Sequence, residues 1–424
     1  MSATTGDPRP YPQATVHASE KYLPKPAVER DGIGLCLSGG GYRATLFHLG
    51  ALLRLNELGI LDRVKTISSV SGGSIMAAGL AAAIVKRAGA LGGLSRAEWE
   101  KDVSGPVREV TKKNIRTWPV LNRLLPWNWL RSATGVETLA ATYEKELTPL
   151  RLAQLPITPR FVICATDLSF GVNWTFTRED LGDWQAGYKA PPGDWPLGRA
   201  VAASSCFPPV FNPLPIGMEP SELKLGHAPQ GPTRDSCIKG LRLSDGGVYD
   251  NLGLEPVWKD HKTVLVSDGG ALFNPEGDKN LLWRLKRYVS IQGNQDHALR
   301  IRWLISNFTS GLMTGTYWGV GGAGSNYGVP DWYSKSLARD VIAGIRTDLD
   351  AFSDAEAGVL ENHGYLLADT AVKTHAATLL PPNPPPVRPP HPEWLPPRRV
   401  EAELREALKD SGKRNYLGRT YKPG

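Results

Sequence analysis

The chain has 424 residues, enough for one large domain or two smaller ones. A content of 41% hydrophobic and 21% charged residues is that of an ordinary soluble globular protein. The net charge of +7 points to anionic partners, whether nucleic acid, an anionic membrane surface or acidic ligands. The alternative is a solvated basic surface with no partner. Four scattered cysteines, Cys36, Cys164, Cys206 and Cys237, lack metal-ligand spacing and read as free thiols, so nothing requires an oxidising compartment.

Residues 1 to 30 are polar and proline-bearing, which predicts a flexible N-terminal arm and not a signal peptide. Gly34 to Ser38 reads as a strand, followed by a helix from Ala44 to Leu58 whose leucines fall on more than one face, as in a covered helix. Val64 to Ser68 is a second strand. It leads to Ser71 and a small-residue helix able to approach its neighbours closely. The run Ile67 to Val85 is long enough to test as a membrane span, but its serines, glycines and turn favour a buried turn and helix. Strands alternating with helices imply a parallel sheet with helices on both faces.

Between Glu98 and Thr148 a cap-like insertion is expected. There Lys112, Lys113, Arg116, Arg123 and Arg131 interleave with Trp118, Leu121, Leu124, Leu125, Trp127, Trp129 and Leu130. That mixture suits a lid or the headgroup boundary of a membrane, and equally a cap whose aromatics pack on the domain. Arg160 to Thr166 and Thr263 to Ser267 read as buried strands, Leu241 to Ser244 as a short strand ending at Asp245, and Leu197 to Ser204 as a helix. Helices are expected over Lys279 to Ile305, Ser334 to Gly344 and Asp354 to Ala371, with an irregular glycine-rich loop from Gly311 to Asn326. The domain plan is therefore an arm (1–30), a main domain (31–375), a proline-rich segment (376–398) and a basic tail (399–424). The proline-rich segment reads as a spacer or a strap over the surface, or as a ligand for a proline-binding module.

Two glycine turns carry the chemistry. Ser38-Gly39-Gly40-Gly41-Tyr42-Arg43 follows the first strand, and Ser69-Val70-Ser71-Gly72-Gly73 follows the second. A serine in a sharp strand-to-helix turn, with glycine nearby, is the nucleophile-elbow arrangement. A glycine run at a helix N-terminus offers N–H groups to an anion. Together they form the minimum for acyl transfer. Ser69 stands where the usual Gly-x-Ser-x-Gly elbow has its first glycine, a small residue the turn can tolerate.

Four blocks in order, Gly39 to Ala44, Ser69 to Gly73, Ala203 to Phe211 and Asp245 to Asn251, are similar to the patatin-like phospholipases. The kinship is to the bacterial kind, whose GGGxRA turn is like that of animal cytosolic phospholipases. The resemblance spans roughly residues 30 to 370. It implies a three-layer α/β acyl hydrolase with a mostly parallel central sheet. It further implies a Ser–Asp dyad without histidine, in which Ser71 is the nucleophile and Asp245 its base. The oxyanion hole falls to the amides of Gly40 and Gly41, with Gly39 shaping the turn and Gly72 assisting. Arg43 resembles the basic residue of the family's glycine turn, which steadies the loop or meets a phosphate headgroup; a structural ion pair is the alternative. Ser267-Asp268-Gly269-Gly270 repeats the base motif, but Val248 to Asn251 favours Asp245. A Ser-His-Asp triad would draw on His363, and a catalytically silent lipid-binding member is a further alternative. The expectation is a metal-independent and cofactor-free enzyme, synthesised as a cytoplasmic protein, that releases fatty acid from glycerophospholipids at a membrane surface, with no nucleic acid partner. The sequence leaves oligomeric state, headgroup and acyl position open.

Overall fold

All five residues of β1 (Ile33–Leu37) are buried, as a strand covered on both faces must be. In the computed structural model, which describes residues 30–87, 93–124, 134–208, 210–273 and 275–411, this strand lies inside a ten-stranded sheet. Its neighbours are β2 (Val64–Val70) on one side and β9 (Thr263–Asp268) on the other, both parallel to it. β3 (Arg160–Asp167) and β10 (Thr314–Gly319) extend the parallel block outward. Beyond β3 the sheet turns antiparallel through β4 (Asn173–Phe176), β5 (Leu181–Asp183) and β6 (Gly187–Lys189). The two-residue β7 (Leu214–Pro215) pairs with β8 (Arg242–Asp245), which itself pairs antiparallel with β3.

Alternation along the strands sends side chains into two layers. Leu35, Leu37, Ile67 and Leu265 join the main core beneath α1 (Gly41–Glu57) and α2 (Gly72–Lys86). α3 (Thr134–Glu146) and α4 (Leu197–Ser205) lie in the same core. On the opposite face Cys36, Val264 and Val266 meet Val257 and Leu304, the latter from the 29-residue α5 (Leu281–Thr309). α6 (Asp354–His375) crosses α1 with almost no space between the backbones. A Cβ at Gly50 would stand 1.8 Å from the Glu361 carbonyl, and one at Gly364 1.9 Å from that of Phe47. The expected mostly parallel sheet with helices on both faces is what the chain forms.

Three expectations need amendment. Residues 311–326 are not wholly irregular, because Thr314–Gly319 forms edge strand β10. Gly315 is required there, since a Cβ would fall 1.9 Å from the Val264 carbonyl. β4 to β6 were not anticipated: they are three or four residues long and broken by Asp and Gly. In the cap, residues 96–111 form one helical stretch with Trp99 buried. There Lys112 pairs with Glu109, Lys113 with Glu146 and Arg116 with Asp348. Trp118 and Leu121 are exposed, whereas Leu125, Trp127, Trp129, Leu130 and Arg131 lie outside the described residues, as do the arm (1–29) and the tail beyond residue 411.

The proline-rich segment runs as a strap along α1 and α6. Arg54 donates to the Pro385 carbonyl at 2.9 Å, Asn362 exchanges two hydrogen bonds with the His391 backbone, and Tyr333 donates to the Trp394 carbonyl at 2.8 Å. Among the described residues no helix is long and apolar enough to cross a membrane.

Candidate active site

Two strands that approach head-on share one edge of β3. β2 runs parallel to β3 and its pairing ends at Val70 opposite Cys164. β8 enters antiparallel on the same edge and its pairing ends at Asp245 opposite Ala165, the next residue. Ser71 and Asp245, 174 positions apart in sequence, are thereby brought to one point. The Ser71 hydroxyl lies beside the Asp245 carboxyl and acts to lower its pKa. Both are buried, Ser71 at 8% exposure and Asp245 at 2%.

Ser71 holds φ 52° and ψ −117°, a conformation L-residues adopt only under constraint. What holds it is the junction itself. The Ser71 N–H donates to Ser204 Oγ at 2.9 Å, and Ser204 Oγ donates to the Cys164 carbonyl at 2.6 Å. Ser74 Oγ lies 2.8 Å from Ser204 Oγ and donates to Ser69 Oγ at 3.1 Å. The Ser69 hydroxyl, unexpected in an elbow, thus has a buried partner. Ser204 also reaches the other strand, because its carbonyl accepts the Gly246 N–H at 3.2 Å.

The glycine loop lies directly against this elbow. A Cβ at Gly72 would stand 2.0 Å from the Gly41 carbonyl, so only glycine permits the approach. Gly40, at φ 142°, and Gly41, at φ 56°, begin α1, and their N–H groups are among those a helix leaves without an internal acceptor. Gly72 has the same position in α2. The Gly39 N–H is engaged, donating to the Asn251 carbonyl at 3.0 Å. Asn251 occupies the junction of three turns: its side chain would clash with a Cβ at Gly39, Gly247 or Gly270. Two helix N-termini therefore begin beside the elbow, and the start of a helix favours negative charge.

Burial raises Asp245 to about 7, against smaller opposing effects from the Gly247 N–H, which donates to its Oδ1 at 2.7 Å, and from Ser71. A carboxylate so destabilised is a far better proton acceptor near neutrality than a solvated one. Asp268 is the reverse case. Burial pushes it up, but His297 at 3.0 Å, Tyr317 at 2.7 Å and the Gly270 N–H at 2.9 Å outweigh that and hold it well below the usual carboxylate range. The repeated motif therefore yields a basic carboxyl at one strand end and a permanently ionised, fully bonded one at the other.

Arg43 is buried, and its guanidinium donates four hydrogen bonds to the carbonyls of Gly269, Ala343 and Ile345 at 2.7–3.1 Å. Burial draws it down to about 10. It ties the start of α1 to the turn after β9 and sits among main-chain carbonyls, with the charge of Asp268 acting to raise it. His363 donates through Nε2 to the Val320 carbonyl at 2.9 Å and packs on Phe47, so it stands on the α1–α6 interface and apart from Ser71. Burial lowers it to about 4. Among the described residues no group of His, Cys, Asp and Glu is arranged to hold a metal ion. Ser204 and Asn251 were not singled out from sequence; both fall inside blocks that were, but nothing in their spacing reveals that they bridge separate strands.

A family model described as patatin-like phospholipase matches residues 35–258. No curated protein matches. Among solved structures, human GIVD cytosolic phospholipase A2 is 16% identical, with a TM-score of 0.38, over 57% of this chain and 46% of that one. The same enzyme in complex with methyl gamma-linolenyl fluorophosphonate is 15% identical, with a TM-score of 0.46, over 89% and 60%. VipD from Legionella pneumophila is 13% identical, with a TM-score of 0.34, over 82% and 68%. The chain thus spans about half the length of the human enzyme. The family match covers more than half of the 424 residues and contains the glycine loop, the elbow and β8; the chain belongs to the patatin-like phospholipase family.

Proposed function

We propose that the protein is a lipid acyl hydrolase that releases fatty acid from glycerophospholipids by a Ser71–Asp245 dyad. The observation that carries this reading is the meeting of two strand ends on adjacent residues of β3, which sets Ser71, held at positive φ, beside a buried carboxyl that burial raises to about 7. Asp245 takes the Ser71 proton as Oγ attacks the ester carbonyl. The amides of Gly40 and Gly41, assisted by Gly72, stabilise the oxyanion. Asp245 then returns the proton to the departing lysolipid oxygen, leaving an acyl-serine. Water enters, gives a proton to Asp245 and attacks the acyl carbonyl. Collapse expels the Ser71 alkoxide, which recovers that proton, and the fatty acid leaves. Gly39 shapes the loop and Arg43 fixes it to the turn at Gly269. Each oxyanion donor of this kind contributes about 2.7–4 kcal/mol. The scheme needs no metal or cofactor, and the substrate is met at a membrane surface.

The test is fatty-acid release from mixed phospholipid vesicles by the native protein, Ser71→Ala and Asp245→Ala. Release by the native protein that vanishes in both variants supports the dyad. Full activity in Asp245→Ala would defeat it. Release of acid only from soluble or neutral esters would keep the acyl hydrolase and remove the phospholipid.

A further inference from the structure

α5 is about 43 Å long at 1.5 Å per residue, roughly twice the length of the strand it packs beside. Its C-terminal half is held. Leu304 is buried among Val264 and Val266, and the Met313 N–H that follows the helix donates to the Asn307 carbonyl at 3.2 Å. The last firm contacts before the helix leaves the body are Arg300, which donates to the Tyr249 carbonyl at 3.1 Å, and His297, which meets Asp268 at the C-terminal end of β9. That end is also the edge where β1 and β2 deliver the glycine loop and Ser71. The sixteen residues from Leu281 to Asp296 add about 24 Å of helix beyond this level.

The overhanging part is apolar on its outer face. Leu281, Leu285, Tyr288 and Val289 follow the i, i+4, i+7, i+8 spacing of one helix face, and they are 68%, 54%, 60% and 69% exposed. Leu299 lies on the same face farther along, past Gln292 and Asp296, and is 58% exposed. The residues that pack on the body, His297, Ile301, Leu304 and Phe308, fall on the opposite side. A solvated helix ordinarily turns its polar face outward, so this stripe is turned the wrong way for water. Leu281 to His297 carries Arg284, Lys286 and Arg287 against Asp296, a net +2 within the +7 of the chain. Arg284 is paired with Asp278 at the surface and Arg287 lies over the Phe273 ring at 3.9 Å, while Asp296 is paired with Arg300 at 2.8 Å where the helix meets the body. An exposed apolar stripe bordered by net positive charge matches a bilayer surface carrying anionic headgroups: the apolar residues enter the acyl boundary and the charge meets the phosphates.

We propose that the N-terminal half of α5, led by Leu281, Leu285, Tyr288 and Val289, is an arm that docks the protein on anionic lipid bilayers with the Ser71 edge toward the lipid. This rests on the lipid acyl hydrolase reading for its purpose but on the exposed stripe for its existence. His297 and Arg300 fasten the arm to the turns that follow β9 and β8, so an anchored arm holds the edge that carries Ser71 close to the bilayer.

The experiment measures binding and not turnover. Full-length Ser71→Ala protein, with and without the further pair Leu285→Asn and Val289→Asn, is sedimented with vesicles of phosphatidylcholine alone or mixed with phosphatidylglycerol. An unchanged thermal midpoint checks that the exposed pair has not harmed folding. The expected result is binding that is stronger on the anionic vesicles, weakens with salt, and falls at least about tenfold in the paired variant. Equal binding with and without the pair overturns the proposal. So does a native dimer that the pair converts to monomer, since a second copy would then cover the stripe. Because no turnover is required, a failed catalytic reading would appear separately, as intact vesicle binding by a native protein that releases no fatty acid.

Discussion

Replacing Asp245 by Asn should abolish hydrolysis and stabilise the protein, and the second effect should depend on pH. Asp245 titrates at about 7 in the folded protein against an ordinary 3.8, chiefly because it is buried. Between those values the folded chain keeps a proton that the unfolded chain releases. Stability therefore falls as pH rises from about 4 to about 7, by about 4 kcal/mol at 1.36 kcal/mol per pKa unit. Asparagine keeps the acceptor for the Gly247 N–H and cannot ionise, so it escapes this cost. Asp245→Asn should match the native protein near pH 4 and exceed it by about 4 kcal/mol at pH 8. With an unfolding entropy of roughly 2.1 cal/mol/K per residue over the whole chain, that is about 5 °C in melting midpoint. Fatty-acid release should fall by about 10²–10⁴, the usual contribution of a general base, and native activity should climb with pH through about 7. Thermal melts of both proteins across this range, alongside vesicle hydrolysis, check both halves. A variant no more stable than native at pH 8, or equally stabilised at pH 4, would refute the claim that burial is what makes Asp245 basic.

Ser71→Gly and Ser71→Ala should both lose hydrolysis, but Gly accepts φ 52° without strain, so Ser71→Gly should be the more stable by about 1 kcal/mol in denaturant titration. Gly72→Ala would place a Cβ 2.0 Å from the Gly41 carbonyl; it should push the glycine loop off the elbow, cost about 1–3 kcal/mol and remove activity although no reacting group is altered. Asp268→Asn should keep fatty-acid release within about tenfold of native yet cost about 3 kcal/mol at neutral pH, because His297 and Tyr317 lose a buried anion. The depressed titration of Asp268 adds stability above pH 3.8 that is lost as pH falls, so the gap between native and Asp268→Asn should close in acid.

The central strands were legible because their middles are unbroken apolar runs: Ile33–Leu37 and residues 264–266 need no partner to declare themselves buried. The two glycine turns were legible for a different reason. A backbone at φ 142° or 56° against a second turn admits only glycine, and that demand is written directly into residue type. The antiparallel β4 to β6 left no such mark, being short, interrupted and only partly covered. Nor did Gly315, which read as loop composition while serving a strand whose neighbour comes too close for any side chain. The arm of α5 was read as a helix, but its outward apolar face depends on where the body of the protein ends, a fact no local pattern contains.

The two Asp-Gly-Gly turns make the same point about chemistry. Each carboxylate ends a strand, accepts the amide two residues on through Oδ1, and is buried. Local sequence gives them one structure. What separates them is the third dimension: β8 stops where β2 has vacated the edge of β3, so Asp245 meets an uncharged hydroxyl, whereas Asp268 meets His297 from a helix that begins after it and Tyr317 from the next strand. Burial acts on both. Only at Asp268 is the anion offset by a partner, and so only Asp245 is left with the affinity for a proton that removing one from Ser71 requires.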